Sequence, residues 1–381
     1  MADASRSKAK SVVSHGKRRL SYSTPGASPR DYTLPHVRVG LYGDCNFRCT
    51  YCPPWGENSY HISSNQSLDE LSEVLGVLAE KGFTVVKFTG GEPTLRRELV
   101  QIVQIASRLF PEVRIITNGW NLTKVALDLQ RAGLTMVELS IDAVEESLFD
   151  SITQTKGNLR KVIGGLETCL ELGIAVQLNM VVMRQNLDQV DRLIDLIEHY
   201  GPVRLKLLEL VYYEYPGIDY WKASFVDMEE LIPKVERRSA TTSWETPPGA
   251  FGTPMRVYSL ANGSSIVMKD GKLGAVYSDI CNGCPLFPCQ DGLYGLSLTA
   301  DGLLKMCKHR PDLHIPVRTS ANHDMIAGSI EEAVDEVVRR YKSAYFLKDG
   351  WHPRLTEQGT TSTVVTPDEG VMKWYRRTGK K

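Results

Sequence analysis

The chain has 381 residues, with 45 Lys and Arg against 45 Asp and Glu, 42% hydrophobic residues and eight cysteines. That length allows two domains, or one barrel with an extension, and zero net charge gives no reason to expect a nucleic-acid or membrane surface. No apolar run is long enough for a transmembrane helix, and eight cysteines in a long chain without a secretion signal point to metal in a reducing, cytoplasmic compartment.

Residues 1–34 are rich in Ser, Lys and Arg (Arg6, Lys8, Lys10, Lys17, Arg18, Arg19) and lack an apolar core, so a disordered basic tail is expected. From there to residue 211, short apolar strands alternate with amphipathic helices. Strands are expected near 37–43, 84–90, 113–119, 135–142, 175–182 and 203–210, and helices near 68–81, 96–109, 123–132, 157–172 and 187–200. The last helix shows the period: Leu187, Val190, Leu193, Ile194 and Ile197 share a face, with Asp188, Asp191 and Glu198 off it. A helix after each strand predicts a parallel sheet with right-handed crossovers. Six such units suit an α/β fold of the partial (β/α)6 TIM-barrel type, in which chemistry gathers at the C-terminal ends of the strands.

Those ends carry the unusual residues. After the first strand comes Asp44-Cys45-Asn46-Phe47-Arg48-Cys49-Thr50-Tyr51-Cys52-Pro53, with thiols at C-x3-C-x2-C spacing. Thiolates anchor iron–sulfur clusters, a cubane needs four ligands, and three cysteines leave one iron open. A structural zinc site is the competing reading, opposed by the spacing and by the presence of only His61 nearby. The second strand ends in Gly90-Gly91-Glu92-Pro93. Alone this is a tight turn; one βα unit after the cysteine loop, its glycines would let backbone approach a ligand and Glu92 could pair with an ammonium group. Thr117-Asn118-Gly119 and Ser140-Ile141-Asp142 close the next two strands, and Asn179 lies inside the fifth, each equally readable as a cap or turn. Cys169 sits on an amphipathic helix as a small buried hydrophobe.

Residues 212–280 run from Tyr212-Tyr213-Glu214-Tyr215-Pro216-Gly217 through Thr246-Pro247-Pro248-Gly249 and read as a linker and pocket-covering segment, with one helix near 227–238. Residues 281–350 hold Cys281, Cys284, Cys289 and Cys307, a second metal site that suits either an iron–sulfur cluster or a zinc ribbon. Ser329-Ile330-Glu331-Glu332 forms a capping box opening a helix to about Tyr345, and 351–381 is a tail, basic and loose from Lys373.

Together these motifs resemble the radical S-adenosylmethionine (radical SAM) superfamily, and within it the GTP cyclase that begins molybdenum cofactor synthesis. The resemblance covers about residues 35–310 and is strongest at Cys45–Pro53, Thr89–Arg97 and Leu298–Gly302. It implies a 4Fe–4S cluster on Cys45, Cys49 and Cys52 whose open iron chelates SAM, with Tyr51, Gly90, Gly91, Glu92, Pro93, Ser140 and Asn179 around the SAM. It further implies reductive cleavage of SAM to a 5′-deoxyadenosyl radical that takes hydrogen from a small-molecule substrate, with flavodoxin or ferredoxin as electron donor. A second, auxiliary 4Fe–4S cluster is implied on the C-terminal cysteines. The cyclase family uses three there and leaves an iron for the substrate; Cys281, Cys284 and Cys307 are the counterparts, but the longer interval before Cys307 contains Cys289, so three-ligand and four-ligand sites both stand.

Arg38, Lys87 and Lys206 are implied to face the substrate, the two lysines replacing arginines and losing bidentate geometry. Gln177 replaces a lysine, Gly295 and Ser297 replace arginines, and Gly379-Lys380-Lys381 replaces a double-glycine end. On that count the pocket is poor in charge for a triphosphate. The expectation is hydrogen abstraction from another nucleotide, nucleoside or sugar-like compound, and not GTP cyclisation. The alternatives are a peptide-modifying radical SAM maturase, for which the leader is too short to fold as a peptide-binding domain, and a non-catalytic iron–sulfur or zinc protein.

Overall fold

The computed structural model describes residues 34–347 except 55, 57–64, 213–214, 246–253, 285, 294 and 318–328, together with 20–21, 354–355 and 362–363. The charged leader residues, His61, Tyr213-Glu214, Thr246–Gly249 and the tail from Lys373 lie outside the described residues. Six strands lie side by side in chain order, all parallel: β1 Val37–Tyr42, β2 Val85–Gly90, β3 Glu112–Thr117, β4 Met136–Ser140, β5 Ala175–Val182 and β6 Arg204–Glu209. Between them run α1 Leu68–Glu80, α2 Leu99–Leu109, α3 Leu122–Arg131, α4 Glu146–Thr153, α5 Leu159–Glu171 and α6 Gln189–Tyr200. This is the α/β, partial (β/α)6 barrel that the alternating pattern predicts.

The sequence dictates the elements locally. β2 is buried at every position, as a central parallel strand covered on both faces must be. α6 buries Val190, Leu193, Ile194 and Ile197, the face that the period marks. α1 starts at a capping box in which Glu70 N donates to Ser67 Oγ at 3.2 Å and Ser67 N to Glu70 Oε2 at 2.7 Å. Ser329 and Glu332 form the same box at the start of α9 Ile330–Tyr341, which ends a turn earlier than the sequence suggests.

Two features depart from expectation. α4 has only eight residues, too few to display a clear period beside α5. The segment 212–280 is more than a linker: it holds α7 Ile218–Ser224, α8 Ile232–Glu236 and strands β7 Thr241–Glu245, β8 Met255–Ser259 and β9 Ser265–Lys269. β9 joins β6 in parallel, and β8 and β7 follow antiparallel. The helix expected near 227–238 is a 3-10 turn, Met228–Leu231, running into α8.

After β10 Ala275–Tyr277 the chain crosses to the opposite edge. There β11 Leu296–Leu298 pairs with β1 in parallel, followed by antiparallel β12 Leu303–Lys305 and β13 Ile315–Pro316. No helix among the described residues is long and apolar enough to cross a membrane.

Phe88, fully buried in β2, belongs to the core that sets the spacing of strands and helices. Phe88→Ala should cost about 3–5 kcal/mol, read as a lowered denaturation midpoint of the iron-free protein. An unchanged midpoint would show that this position does not carry core packing.

Candidate active site

The cysteine loop leaves β1 and is held from outside by α4. Arg48 N donates to Thr153 O at 3.0 Å and Thr50 N to Ile152 O at 2.9 Å, so loop N–H groups satisfy carbonyls that the end of α4 leaves unpaired. Phe47, buried, packs edge-on against Phe149 of the same helix at 6.1 Å. Cys52 N closes a turn onto Cys49 O at 3.0 Å. Two N–H groups reach the first sulfur: Phe47 N at 3.4 Å and Asn118 Nδ2 at 3.8 Å from Cys45 Sγ. Burial pushes the Cys45 and Cys49 thiols up, and Cys49 is raised further by Asp142 and the two neighbouring thiols. Metal binding here would therefore release protons.

The Gly90-Gly91-Glu92-Pro93 turn is seated directly on this loop. Gly91 N donates to Tyr42 O at 2.7 Å and Glu92 N to Asp44 O at 2.9 Å. A Cβ on Gly91 would stand 2.0 Å from Asp44 O, and one on Gly90, at φ +135°, 2.5 Å from Tyr42 O. The glycines thus serve close approach to the cysteine loop. Glu92, expected to pair with an ammonium group, is engaged instead by the protein. Its carboxylate is 1% exposed: Oε1 accepts from Thr94 N (2.9 Å), Thr94 Oγ1 (2.5 Å) and Thr117 Oγ1 (2.7 Å), and Oε2 accepts from Asn118 N (2.8 Å). Burial raises its pKa while these bonds oppose the rise. Glu92 ties β2 to the end of β3 and does not point at an ammonium group. Pro93 opens the short 3-10 turn that follows.

Tyr51 is fastened from the other side. Its hydroxyl donates to Asp142 Oδ2 at 2.8 Å, and Asp142 Oδ1 accepts from Val181 N at 2.8 Å. Burial pushes Asp142 up to about 6. Ser140 and Asn179 are register partners on β4 and β5. Asn179 faces the barrel interior, where its Oδ1 accepts from Gln177 Nε2 at 2.8 Å and its Nδ2 lies 3.5 Å from Glu138 Oε2.

Below the loop the interior is charged. Arg38 pairs in register with Lys87, Lys87 with Arg114, and Asn179 with Lys206. Glu138 on β4 gathers them: Lys87 Nζ lies 2.9 Å and Arg114 Nη1 3.1 Å from its Oε1. Burial works to raise the Glu138 pKa, but Lys87, Lys206 and Arg114 overcome it and hold the group well below the carboxylate range. Beside these lies a cavity lined by His36, Lys87, Arg114, Gln177, Arg204 and Lys206, with Glu245 and Met255 of the β7–β8 hairpin at its border. Arg204 Nη2 meets Glu245 Oε2 at 2.6 Å. Burial, then Lys87 and Arg38, push the His36 imidazole well below its ordinary pKa. Sequence reasoning found Arg38, Lys87 and Lys206 but missed His36, Arg114, Glu138 and Arg204. The available signal was a charged residue facing the interior within an otherwise apolar strand.

The C-terminal cysteines meet elsewhere. Cys281, Cys284, Cys289 and Cys307 line one cavity with Tyr277, Ile280, Leu286, Phe287, Leu293 and Arg310. Burial pushes Cys289 up to about 12 and Cys307 higher still, with neighbouring thiols adding to both. All four thiols border this one space. Gln290 fastens this loop to the barrel: its Nε2 donates to Glu209 Oε2 (2.7 Å) and Leu210 O (3.1 Å), and its Oε1 accepts from Tyr212 N (3.1 Å). Glu209, at the end of β6, also accepts from Gly271 N at 3.0 Å and is pushed by burial up to about 8.

A parallel barrel with three thiols after β1 and a Gly-Gly-Glu-Pro turn after β2 defines a radical SAM enzyme, and the sequence profile of the radical SAM superfamily matches residues 39–197. A probable GTP 3′,8-cyclase of Sulfurisphaera tokodaii is 30% identical over 319 residues, covering 83% of this chain and 94% of that protein. The GTP 3′,8-cyclase of Desulforamulus reducens is 27% identical over 329 residues, covering 84% and 95%. Among solved structures, Streptococcus suis SuiB bound to S-adenosylmethionine shares the fold with a TM-score of 0.54 at 12% identity; the match covers 78% of this chain and 64% of that one. The chain belongs to the radical SAM superfamily and resembles, within it, the GTP 3′,8-cyclases. That family uses a 4Fe–4S cluster and SAM on a small-molecule substrate. These relatives overturn the expectation that GTP cyclisation is excluded. The expectation rested on a count of lost cations, and the count lacked Arg114 and Arg204, which only the folded barrel places inside.

Gly91→Ala should force the turn off the cysteine loop and lower the iron bound after anaerobic reconstitution by about half, the second site keeping its own. Full iron loading would contradict the seating described. Glu209 gives a pH signature. Its folded pKa of about 8 lies above the ordinary 4.5, so its contribution to stability is whole below 4.5 and is lost as pH rises to 8. Glu209→Gln should flatten that fall in the unfolding midpoint; parallel curves for the two proteins would exclude it as the source.

Proposed function

We propose that this enzyme joins positions 3′ and 8 of GTP, the reaction that its relatives' names describe. The carrying observation is the charged barrel interior. Among the described residues, Arg38, Lys87, Arg114, Arg204 and Lys206 surround it against three carboxylates, Glu138, Glu245 and Glu112, the last paired with Arg114. Such a surplus of cations suits a polyphosphate, and the arginines offer paired donors to phosphate oxygens. Glu138 pre-orients Lys87 and Arg114, so little side-chain ordering remains when substrate arrives.

In this reading Cys45, Cys49 and Cys52 hold the SAM cluster. The donor set supports it: three adjacent thiols, with N–H groups directed at the first sulfur. The backbone of Gly90–Pro93, Tyr51, Ser140 and Asn179 border SAM, the turn offering main-chain carbonyls to its ammonium group because the Glu92 carboxylate is engaged elsewhere. Cys281, Cys284, Cys289 and Cys307 hold an auxiliary cluster, and flavodoxin or ferredoxin supplies electrons. The bound cluster and SAM supply a 5′-deoxyadenosyl radical that removes a substrate hydrogen. The barrel holds the triphosphate below and keeps water from the reacting carbon.

With anaerobically reconstituted protein and dithionite, GTP should stimulate 5′-deoxyadenosine formation more than ATP, free guanosine, sugars or peptides. Arg38→Ala should raise the KM for GTP about 10- to 100-fold, the loss of one charge-assisted contact, while substrate-independent SAM cleavage continues. Wild-type KM in that variant would remove Arg38 from the substrate site, and stimulation by another compound but not by GTP would refute the reaction.

A further inference from the structure

Cys289 is the thiol that the resemblance leaves unassigned, and its surroundings give it a role. We infer that the auxiliary cluster is closed by four thiolates, Cys281, Cys284, Cys289 and Cys307, so that no iron is left to bind substrate and the charged barrel interior alone anchors it. The inference rests on the auxiliary-cluster reading above and deepens it. All four cysteines border the same cavity, whose remaining walls are largely apolar apart from His309 and Arg310. Gly292 N donates to Cys289 Sγ at 3.3 Å, the kind of N–H contact that stabilises a metal-bound thiolate.

The loop geometry points the same way. Tyr277 donates its hydroxyl to Cys289 O at 2.6 Å, and the adjacent Gln290 is bonded to Glu209 and Leu210 at the end of β6. The stretch that carries Cys289 is thus tied to the end of a barrel strand. A fully thiolate-ligated cluster sets potential and relays electrons without touching the substrate.

The test uses the full chain with Cys45→Ala, Cys49→Ala and Cys52→Ala, which leaves the auxiliary site alone and should bind about four irons. The paramagnetic resonance spectrum of the reduced protein should be unchanged by GTP, and 15N-labelled GTP should give no 15N coupling. Adding Cys289→Ala should open one iron, so that 15N-imidazole produces a coupling absent from the parent. Cys289→Ser, which retains an oxygen at that position, should shift the g values and serves if the alanine variant does not assemble. Coupling to 15N-GTP with Cys289 in place, or Cys289 variants with the parent spectrum, would overturn the four-thiolate site. Zinc in place of iron in the parent would overturn the auxiliary-cluster reading itself, a failure distinct from the other two.

Discussion

Two backbone hydrogen bonds, from Gly91 N to Tyr42 O and from Glu92 N to Asp44 O, clamp the turn after β2 onto the cysteine loop after β1. The rest of the active face depends on the closeness they permit. Both glycines lack the Cβ that would strike loop carbonyls, and the buried Glu92 carboxylate, accepting hydrogen bonds from Thr94, Thr117 and Asn118, locks the turn to β3. A buried carboxylate with its oxygens satisfied resists displacement, because leaving any donor unmet costs about 1–3 kcal/mol. The C-terminal turn of α4 grips the loop from the other side, and Tyr51 is tied across to Asp142. The loop that carries the three thiols is thus held from both sides.

Beneath this rigid rim lies the opposite kind of environment. Buried charges are tolerated only when paired, and the barrel pairs them around Glu138, which meets Lys87 and Arg114 directly and feels Lys206. The cations outnumber the carboxylates, so the network is complete in shape yet short of negative charge. In the proposed reaction a phosphate-bearing substrate would supply that charge. The β7–β8 hairpin adds Glu245, which holds Arg204 at the border of the same cavity.

The sequence made the barrel and both cysteine clusters legible because their signals are local. Helical period in α6, the capping boxes at Ser67 and Ser329, and thiol spacing need no knowledge of the fold. The role of Glu92 was not legible, since whether a carboxylate faces ligand or protein depends on donors brought from β3. Arg114, Glu138 and Arg204 looked like ordinary strand polarity until the sheet curled and put them inside. The β8–β9 hairpin did carry a signal, Asn262-Gly263 between two apolar runs with Gly263 at φ +85°, hidden among Pro and Gly punctuation. The undercount of interior cations led directly to the mistaken exclusion of GTP cyclisation.

In the proposed reaction a radical formed at the cysteine loop acts on a guanine nucleotide held in the charged interior. The most direct measurement uses GTP deuterated at the ribose 3′ carbon, with mass analysis of the 5′-deoxyadenosine formed by the reconstituted enzyme. Deuterium should appear in the 5′-deoxyadenosine, since joining position 3′ to position 8 requires loss of that hydrogen. Turnover that leaves 5′-deoxyadenosine unlabelled would contradict it.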